Sequence, residues 1–309
     1  MGTTLPEPLD ALIVGAGPAG LTAAIYLGRF RRRFLVVESH DSRAAWIPRT
    51  RNLPGFPGGI EGEALLERLR DQAERYGAVI QRSHVEGLDR RDGLFLAVLG
   101  TGETIEARKV LLATGVIDNE PKLPAFRDGV KRGLVRICPI CDGYEAIGLE
   151  LAVIGDSEKA AREALFLTTY SDKIALIHVG EPSNLPADAR QSLAEAGIET
   201  IDAPIDDIIV QDGRIAALDL GGGVRRPFDA IYSALGTTPR GRLAERLGAK
   251  VDPGGCLQVG PHQETSVEGL YAAGDLVRGL NQIAVAEAEA AIAAVDIHNR
   301  LTAPPLTRP

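Results

Sequence analysis

The sequence predicts an α/β protein made of two Rossmann-like dinucleotide-binding domains, the second inserted into the first. Three observations lead to this fold class. A glycine-rich fingerprint at 15–20 follows a short apolar strand, and a second strand–turn–helix–strand pattern begins at 150. Segments containing Pro or Gly at 118–124 and 236–239 mark the two crossings between domains. A chain of 309 residues is long enough for two such domains with cores of their own.

Composition narrows the classes of function. Hydrophobic residues make up 45% of the chain and charged residues 25%, which is ordinary for a globular protein. The formal net charge of −8 disfavours nucleic acid and anionic membranes as partners. No apolar run is long enough for a membrane span, and residues 1–5 lack the pattern of a signal peptide. Three cysteines do not make a disulfide scaffold, so we expect a cytoplasmic protein.

The first nucleotide-binding unit is predicted between 10 and 38. Residues 10–14 have the pattern of a buried parallel strand, and the glycines after it allow a tight turn that brings a pyrophosphate to a helix N-terminus. A second apolar strand, 34–37, ends at Glu38, whose carboxylate can accept the ribose hydroxyls. A turn without a ligand is the alternative. The cofactor-binding residues assigned here are Gly15, Gly17, Pro18, Ala19, Gly20 and Glu38.

The next stretch predicts a stiff loop, a helix and a set of strands. Residues 52–58 are too rich in Pro and Gly for a helix, and 63–76 form an amphipathic helix. Strand-like runs follow at 79–85, 94–99, 103–108 and 109–113. The last run ends in small residues, through which a backbone can approach a cofactor. These residues are Ala113, Thr114 and Gly115.

The C-terminal part predicts a second approach to a cofactor. A strand over 270–275 ends at Gly274 and Asp275, and this Asp could accept a ribitol hydroxyl. Gln282 and Ile283 then open an Ala-rich helix whose N–H groups can point at an electron-rich ring. Prolines exclude helix from the tail, 302–306.

The most reactive stretch is Cys138-Pro139-Ile140-Cys141-Asp142-Gly143, in which two cysteines can close and reopen a small disulfide ring. A structural zinc site usually needs a second Cys or His pair, and the histidines at 40, 84, 178, 262 and 298 are scattered singly. No metal site is therefore expected. The alternative is a pair of inert buried cysteines with no redox role, but the flanking sequence favours a redox dithiol.

The second βαβ pattern looks like a damaged copy of the first. Strands are predicted at 150–154 and 173–178, with a helix between them. Ser157 occupies the second glycine position, and the neighbouring carboxylates of Asp156 and Glu158 would repel a phosphate. No arginine follows the second strand to hold a 2′-phosphate, so we expect poor NADPH binding. An NADH site with Glu181 on the ribose remains open.

Taken together, these residues resemble the low-molecular-weight thioredoxin reductases, a family of dimeric flavoprotein disulfide reductases. The resemblance covers nearly the whole chain, and the order and spacing of its motifs make it specific. The segments that carry it are 15–20, 52–57, 113–115 and 138–143, together with Gly274, Asp275 and Gln282.

The resemblance implies two three-layer ββα domains. Residues 1–117 and 243–309 would form the FAD-binding domain, and 118–242 the redox-dithiol domain that normally binds NADPH. Family members are homodimers whose domains rotate to expose the flavin alternately to NADPH and to the dithiol. Asn52 and Val85 join the cofactor-binding residues on this basis.

Carried over by position, Cys141 would face the flavin and Cys138 would attack the disulfide of the partner. Asp142 would be the general acid or base that protonates the leaving thiolate, with a helix cap as its structural alternative. The implied partner is a thioredoxin-like protein or a small dithiol. The direction of exchange depends on the relative potentials.

The chain departs from the family in three places. Arg43-Ala44-Ala45-Trp46 stands where the family usually has Gly-Gly-Gln, and Pro139 gives the CPxC form seen in related oxidases of small dithiols. The damaged second fingerprint resembles branches that do not use NADPH, including ferredoxin-dependent forms. Three functions therefore stay open: a disulfide oxidoreductase that does not use NADPH efficiently, a dithiol oxidase that uses oxygen, and a flavin-bearing sensor with negligible turnover.

Overall fold

The computed structural model describes residues 7–39, 42–121 and 126–302. The chain divides into two compact units. Unit 1 takes in the described residues of Met1–Ala45, Gly62–Ile117 and Thr238–Pro309, and unit 2 those of Trp46–Glu61 and Asp118–Thr237.

The secondary structure alternates strands and helices in both units. The strands are β1 (Leu9–Val14), β2 (Phe34–Glu38), β3 (Ile80–Arg82), β4 (Val85–Arg91), β5 (Leu94–Leu99), β6 (Thr104–Leu112), β7 (Val116–Asp118), β8 (Val135–Arg136), β9 (Leu151–Gly155), β10 (Ile174–His178), β11 (Glu199–Asp202), β12 (Asp207–Gln211), β13 (Arg214–Asp219), β14 (Arg225–Arg226), β15 (Ala230–Ser233), β16 (Thr237–Pro239) and β17 (Leu270–Ala272). The α-helices are α1 (Pro18–Arg29), α2 (Gly62–Arg75), α3 (Phe126–Lys131), α4 (Pro139–Asp142), α5 (Glu158–Leu167), α6 (Ala187–Glu195), α7 (Arg242–Arg246) and α8 (Ile283–Thr302), with short 3₁₀ turns at Arg43–Trp46, Tyr144–Ala146 and Pro182–Asn184.

Unit 1 is built on a sheet in the order β3-β2-β1-β6-β5-β4, with β17 also paired to β6. The pairs β3–β2, β2–β1, β1–β6 and β17–β6 are parallel, whereas β4, β5 and β6 form an antiparallel meander. Side chains alternate across the sheet. In β1, Ala11 and Ile13 pack with α1 and α8, while Leu12 and Val14 pack on the opposite face with the meander. This period of two buries both faces of the strand, as expected for a parallel sheet.

Unit 2 repeats the plan with a parallel sheet in the order β11-β10-β9-β15-β8. Leu151 and Val153 of β9 face the core formed with α5 and α6. Ala152 and Ile154 face the second core, which contains Phe126 of α3 and side chains of the antiparallel sheet β12-β13-β14. Each unit therefore has three layers, and the predicted α/β fold class is confirmed.

Some predicted boundaries move in the structure. The runs 103–108 and 109–113 form one strand, β6, because its two ends pair with different partners in one sheet. The run 79–85 is divided between β3 and β4. Of the predicted tail, Thr302 ends α8, while 303–306 lie outside the described residues, as do 122–124 of the first crossing. None of the described helices is both long and apolar enough to cross a membrane.

The division into units differs from the predicted domain limits in two places. The second change of unit falls at 237–238, whereas the predicted limit is 242–243. Residues 46–61 are grouped with unit 2, where Trp46 packs against the core. The guanidinium carbon of Arg127 lies over the Trp46 ring, 4.7 Å from its centroid. The assignment of one domain to FAD and the other to the dithiol stays a prediction.

The first prediction concerns the close contact of α1 with the chain that follows α2. A Cβ at Gly28 would lie 2.6 Å from the carbonyl oxygen of Tyr76. We expect Gly28→Ala to lower the free energy of unfolding by about 1–3 kcal/mol, the usual cost of overpacking. Gly87→Ala in β4 is the control, since its Cβ would meet Val98 at an ordinary 3.9 Å. Denaturant unfolding of both variants measures the difference, and equal stabilities would contradict the packing described.

Candidate functional site

The dithiol lies at the end of a strand in unit 2. Cys138 and Cys141 form a disulfide with their Cα atoms 5.3 Å apart. Cys138 has extended backbone, and Pro139 occupies the first turn of α4, where its missing N–H costs nothing. The N–H of Cys141 donates to the carbonyl of Cys138 at 3.0 Å. The CPxC sequence therefore folds as a single tight turn that holds both sulfur atoms together.

Gly143 permits the turn that follows. A Cβ there would lie 2.5 Å from the ring of Tyr170 and 2.6 Å from the carbonyl oxygen of Pro139. Its own N–H donates to that same carbonyl at 2.9 Å. The glycine lets α4 pack directly on the aromatic ring, so its place in the motif is required by close packing.

Asp142 is the unusual carboxyl group of this unit. Its Oδ1 atom is buried and has no hydrogen-bond partner in the described part of the chain. Burial raises the pKa of Asp142 to about 6, against the opposing effects of Arg136 and of the Tyr232 hydroxyl. A carboxyl group with this pKa exchanges protons near neutral pH, as a general acid or base must. Among the described residues, none provides a capping contact for its Oδ1.

Two residues that the sequence did not single out surround Asp142. Arg136 ends β8, and its Nη1 donates to the main-chain carbonyl of Asp142 at 2.8 Å and to the hydroxyl of Tyr232 at 3.1 Å. Tyr232 is fully buried in β15, and its hydroxyl donates to the same carbonyl at 3.3 Å. Arg136 stands two positions before Cys138, but nothing in its sequence context identifies its partners.

The glycine turn of unit 1 forms a narrow cradle. Gly15 has φ +109°, and a Cβ on it would lie 2.3 Å from the carbonyl oxygen of Ala113. A Cβ on Gly20 would lie 1.8 Å from the carbonyl oxygen of Gly15. Gly17 precedes α1 without a capping side chain, so the helix N-terminus keeps its N–H groups available. Such a turn suits the pyrophosphate of a dinucleotide cofactor.

Glu38 is buried at the end of β2 and is held by an arginine. Arg70 of α2 binds it with both nitrogen atoms, Nη1 to Oε1 at 2.8 Å and Nη2 to Oε2 at 2.9 Å. A bidentate pair fixes the carboxylate in one orientation, and each carboxylate oxygen can accept more than one hydrogen bond, as binding to ribose hydroxyls would require. Sequence reasoning missed Arg70, which is one of several arginines on the polar face of an amphipathic helix.

The other predicted residues of unit 1 gather around the same turn. A Cβ on Gly274 would lie 3.2 Å from the Cβ of Ala19, and its N–H donates to Glu289 of α8 at 2.8 Å. Asp275 comes next, and its Oδ2 lies 3.4 Å from Nη1 of Arg43. Arg43, where the sequence departs from the family pattern, thus contacts the carboxylate predicted to bind ribitol.

The remaining predicted residues take various places. Thr114 donates through its hydroxyl to the carbonyl of Arg240 at 2.9 Å. Asn52 belongs to unit 2, where its side-chain nitrogen lies 3.4 Å from the carbonyl oxygen of Ile140. Other members of the set lie at element ends: Pro18 begins α1, Val85 begins β4, Gly115 lies between β6 and β7, and Gln282 and Ile283 stand at the start of α8.

In unit 2, acidic residues stand in the turn that corresponds to the glycine turn of unit 1. We call this turn between β9 and α5, together with the loop 179–182 after β10, the second crevice. Asp156 and Ser157 lie between β9 and α5, and Glu158 is the first residue of α5. A Cβ on Gly180, in the loop after β10, would lie 2.7 Å from the carbonyl oxygen of Asp156 and 3.0 Å from its Cβ. Asp156 therefore lies where the loops after β9 and β10 contact each other at this edge of the sheet.

Comparison with known proteins gives concordant matches. Residues 9–290 match the family described as pyridine nucleotide-disulphide oxidoreductase. The chain is 31% identical to the thioredoxin reductase of Treponema pallidum, over 92% of this chain and 94% of that protein. It is 32% identical to the bifunctional thioredoxin reductase/thioredoxin of Mycobacterium leprae over 93% of its length, but spans only 64% of that protein. The solved thioredoxin reductase from Giardia duodenalis superposes with a TM-score of 0.84 at 29% identity, covering 96% of this chain and 100% of that chain.

The second prediction follows from the buried carboxyl of Asp142. Its pKa rises from 3.8 to about 6 on folding, so the folded state binds the proton more tightly than the unfolded state. This contribution to stability is complete at low pH and is lost as the pH rises from about 4 to about 6. We expect the stability of Asp142→Asn, relative to the unmodified protein, to rise by up to about 3 kcal/mol over that range and then stay level.

Denaturant unfolding at a series of pH values measures this difference. Asp71→Asn is the matched control, since Asp71 is exposed on α2 and its replacement should give no such trend. A difference for Asp142→Asn that does not change with pH would contradict the burial of this carboxyl group.

Proposed function

The chain belongs to the pyridine nucleotide-disulphide oxidoreductase family and is related within it to the low-molecular-weight thioredoxin reductases; from this we propose that it is an FAD flavoprotein passing electrons between flavin and the Cys138–Cys141 pair. The pair would pass them on to thioredoxin or a similar disulfide partner. We further propose that NADPH is not an efficient donor and that the protein acts as a cytoplasmic homodimer.

One observation carries the proposal: a disulfide in a CPxC turn is followed directly by a largely buried carboxyl group with a pKa of about 6. Thiol–disulfide exchange needs a thiolate to attack and a proton for the thiolate that leaves. Cys138 and Cys141 supply the sulfur atoms, and Asp142 can supply the proton near neutral pH. An inert pair of cysteines would have no need of such a neighbour.

The exchange balances as follows. Two electrons and two protons convert the Cys138–Cys141 disulfide to a dithiol. Cys138 gives its proton to Asp142, and the resulting thiolate attacks one sulfur of the partner disulfide, forming a mixed disulfide. The other partner sulfur leaves and takes this proton from Asp142. Finally, Cys141 loses its proton and its thiolate attacks Cys138, closing the protein disulfide, and the second partner sulfur leaves and takes up that proton. The partner gains the two electrons that the protein loses.

The residues of unit 1 fit FAD. The turn at Gly15 and Gly20 has no room for side chains, and α1 begins there without a side-chain cap, as a pyrophosphate site requires. Glu38 and Asp275 would bind ribose and ribitol hydroxyls, with Arg70 and Arg43 orienting their carboxylates. When bound, FAD supplies a two-electron carrier.

The charge of the second crevice supports the proposal about NADPH. Asp156 and Glu158 put two carboxylates at the turn where the cofactor pyrophosphate would lie, and like charges there oppose binding, although Arg162 pairs with Glu158 and offsets part of its charge. The loop after β10 reads Val179-Gly180-Glu181-Pro182 and holds no arginine for a 2′-phosphate. Reduced ferredoxin is a candidate donor, and NADH bound through Glu181 is the alternative.

The third prediction tests the proposed donor and partner. Anaerobic addition of NADPH to the purified yellow protein should bleach the flavin slowly and incompletely, whereas a suitable donor such as reduced ferredoxin should bleach it fully. Oxidised thioredoxin should then restore the flavin absorbance rapidly, and Cys138→Ser should abolish this step. Full stoichiometric reduction by micromolar NADPH would contradict the donor proposal. Full reduction by NADH alone would favour the NADH-dependent alternative.

The fourth prediction tests the acids of the second crevice. We expect the double variant Asp156→Asn, Glu158→Gln to bind NADPH several-fold more tightly, because it removes two negative charges from the turn at which the phosphates would bind. The gain should shrink at high salt, since exposed charges are screened. The double variant Asp188→Asn, Glu195→Gln, on the exposed surface of α6, is the control of equal charge change. Fluorescence titration gives the Kd, and an unchanged Kd would show that the acids do not limit binding.

A second candidate function is favoured by Pro139, which is buried in the motif turn. The CPxC form resembles that of oxidases that make disulfides in small dithiols and pass the electrons to oxygen. Peroxide released on addition of a dithiol, without any nicotinamide, would support this function. A sensor without turnover is the third candidate, and full cellular function of Cys138→Ser would support that one.

A further inference from the structure

Arg136 binds the main-chain oxygens that end the dithiol turn. Its Nη1 contacts the carbonyl of Asp142 at 2.8 Å, and its Nη2 contacts the carbonyl of Glu145 at 3.4 Å. Asp142 ends α4, and Glu145 lies in the 3₁₀ turn that follows. Carbonyls at helix ends lack main-chain partners, and an arginine fork satisfies two of them at once. One guanidinium therefore ties together both short helices that carry the motif.

The guanidinium is itself held in place by the sheet. Arg136 and Tyr232 stand opposite each other in the parallel pair β8–β15. The guanidinium carbon lies 5.6 Å from the centroid of the fully buried Tyr232 ring, and Nη1 also donates to the hydroxyl at 3.1 Å. A cation within cation–π distance of a buried ring and hydrogen-bonded to its hydroxyl has little freedom to move. The contact is thus set by strand register rather than by a loop.

Four groups act electrostatically on the Asp142 carboxyl. Arg136 and Arg51 favour its charged form, the Tyr232 hydroxyl also favours it, and Glu145 opposes it. Arg136 is the strongest of these, and it opposes the effect of burial. Arg51 is half exposed and is itself paired with Glu145 at 3.7 Å. The balance between burial and the Arg136 charge thus decides whether Asp142 holds a proton.

We propose that Arg136 is the positioning residue of the dithiol site, fixing the orientation and the charge state of Asp142 through the main chain of α4 and through its own charge. This inference rests on the proposed function, in which Asp142 gives a proton to the leaving thiolate. Arg136 touches neither sulfur in this role; it acts through Asp142.

The fifth prediction uses two disulfides that differ in their need for a proton. The alkyl thiolate released from 2-hydroxyethyl disulfide must be protonated, whereas 2,2′-dithiodipyridine releases a stabilised thione. Both rates are measured with the anaerobically photoreduced holoprotein, and the rate with 2-hydroxyethyl disulfide is divided by the rate with 2,2′-dithiodipyridine. Both rates depend on the thiolate fraction of Cys138, so this fraction cancels and the ratio reports proton delivery. In the unmodified protein this ratio should fall as the pH rises through about 6, where Asp142 loses its proton.

Substitution of Arg136 should move that midpoint. Arg136→Met removes a positive charge near the carboxylate, so we expect the midpoint to rise by about one pH unit. Arg136→Lys keeps the charge and should return the midpoint toward the original value, with a lower plateau because an ammonium lacks the fork. Tyr232→Phe should give a smaller rise in the same direction, and it serves as the second test if Arg136→Met does not fold.

The outcomes separate the two levels of the proposal. Asp142→Asn should abolish the pH dependence of the ratio, and a ratio that is unchanged in this variant would overturn the acid role itself. If Asp142→Asn behaves as expected but Arg136→Met slows both disulfides equally with no shift in midpoint, Arg136 is merely structural and the inference fails alone.

Discussion

Every candidate site in this protein depends on one constraint, the burial of a parallel sheet on both faces. Layers on each side close the faces, so only the strand ends remain accessible to ligands. The glycine turn of unit 1 follows the carboxyl end of β1, and the dithiol turn of unit 2 follows that of β8. The second crevice follows β9 and β10 at the same edge. The alternating apolar residues that build the cores therefore also decide where the chemistry lies.

The features predicted well from the sequence are those that depend on contacts between residues close together in the chain. A glycine at 20 is needed because the backbone doubles back onto the carbonyl of Gly15 within five residues, and this leaves a recognisable spacing. The cysteine pair is likewise closed by a turn within its own four residues. In both cases the residues that make the geometry are neighbours in the chain, so their pattern can be recognised without knowing the fold.

The parts that could not be predicted are pairings between distant polar residues. Arg70 meets Glu38 only because the fold brings α2 to the end of β2, and Arg136 meets Tyr232 only because two strands 96 positions apart are in register. Arg70 lies on the polar face of α2 among other arginines, so periodicity cannot separate it from a solvated residue. Asn52 shows the same limit. Its side chain contacts Ile140 because residues 46–61 belong to unit 2, which the sequence did not indicate.

The carboxylates at the dithiol turn and at the turn after β9 differ because their surroundings differ. Asp142 is desolvated, so the charge of Arg136 acts at a low effective dielectric and can outweigh several other groups. Asp156 is only partly buried and Glu158 is exposed, and charges 4 Å apart in water interact by only about 1 kcal/mol. Repulsion of that size changes an affinity by less than about tenfold. The proposed poor use of NADPH would then depend also on the lack of an arginine for the 2′-phosphate in the loop 179–182, and neutralising the acids alone should restore only part of the binding.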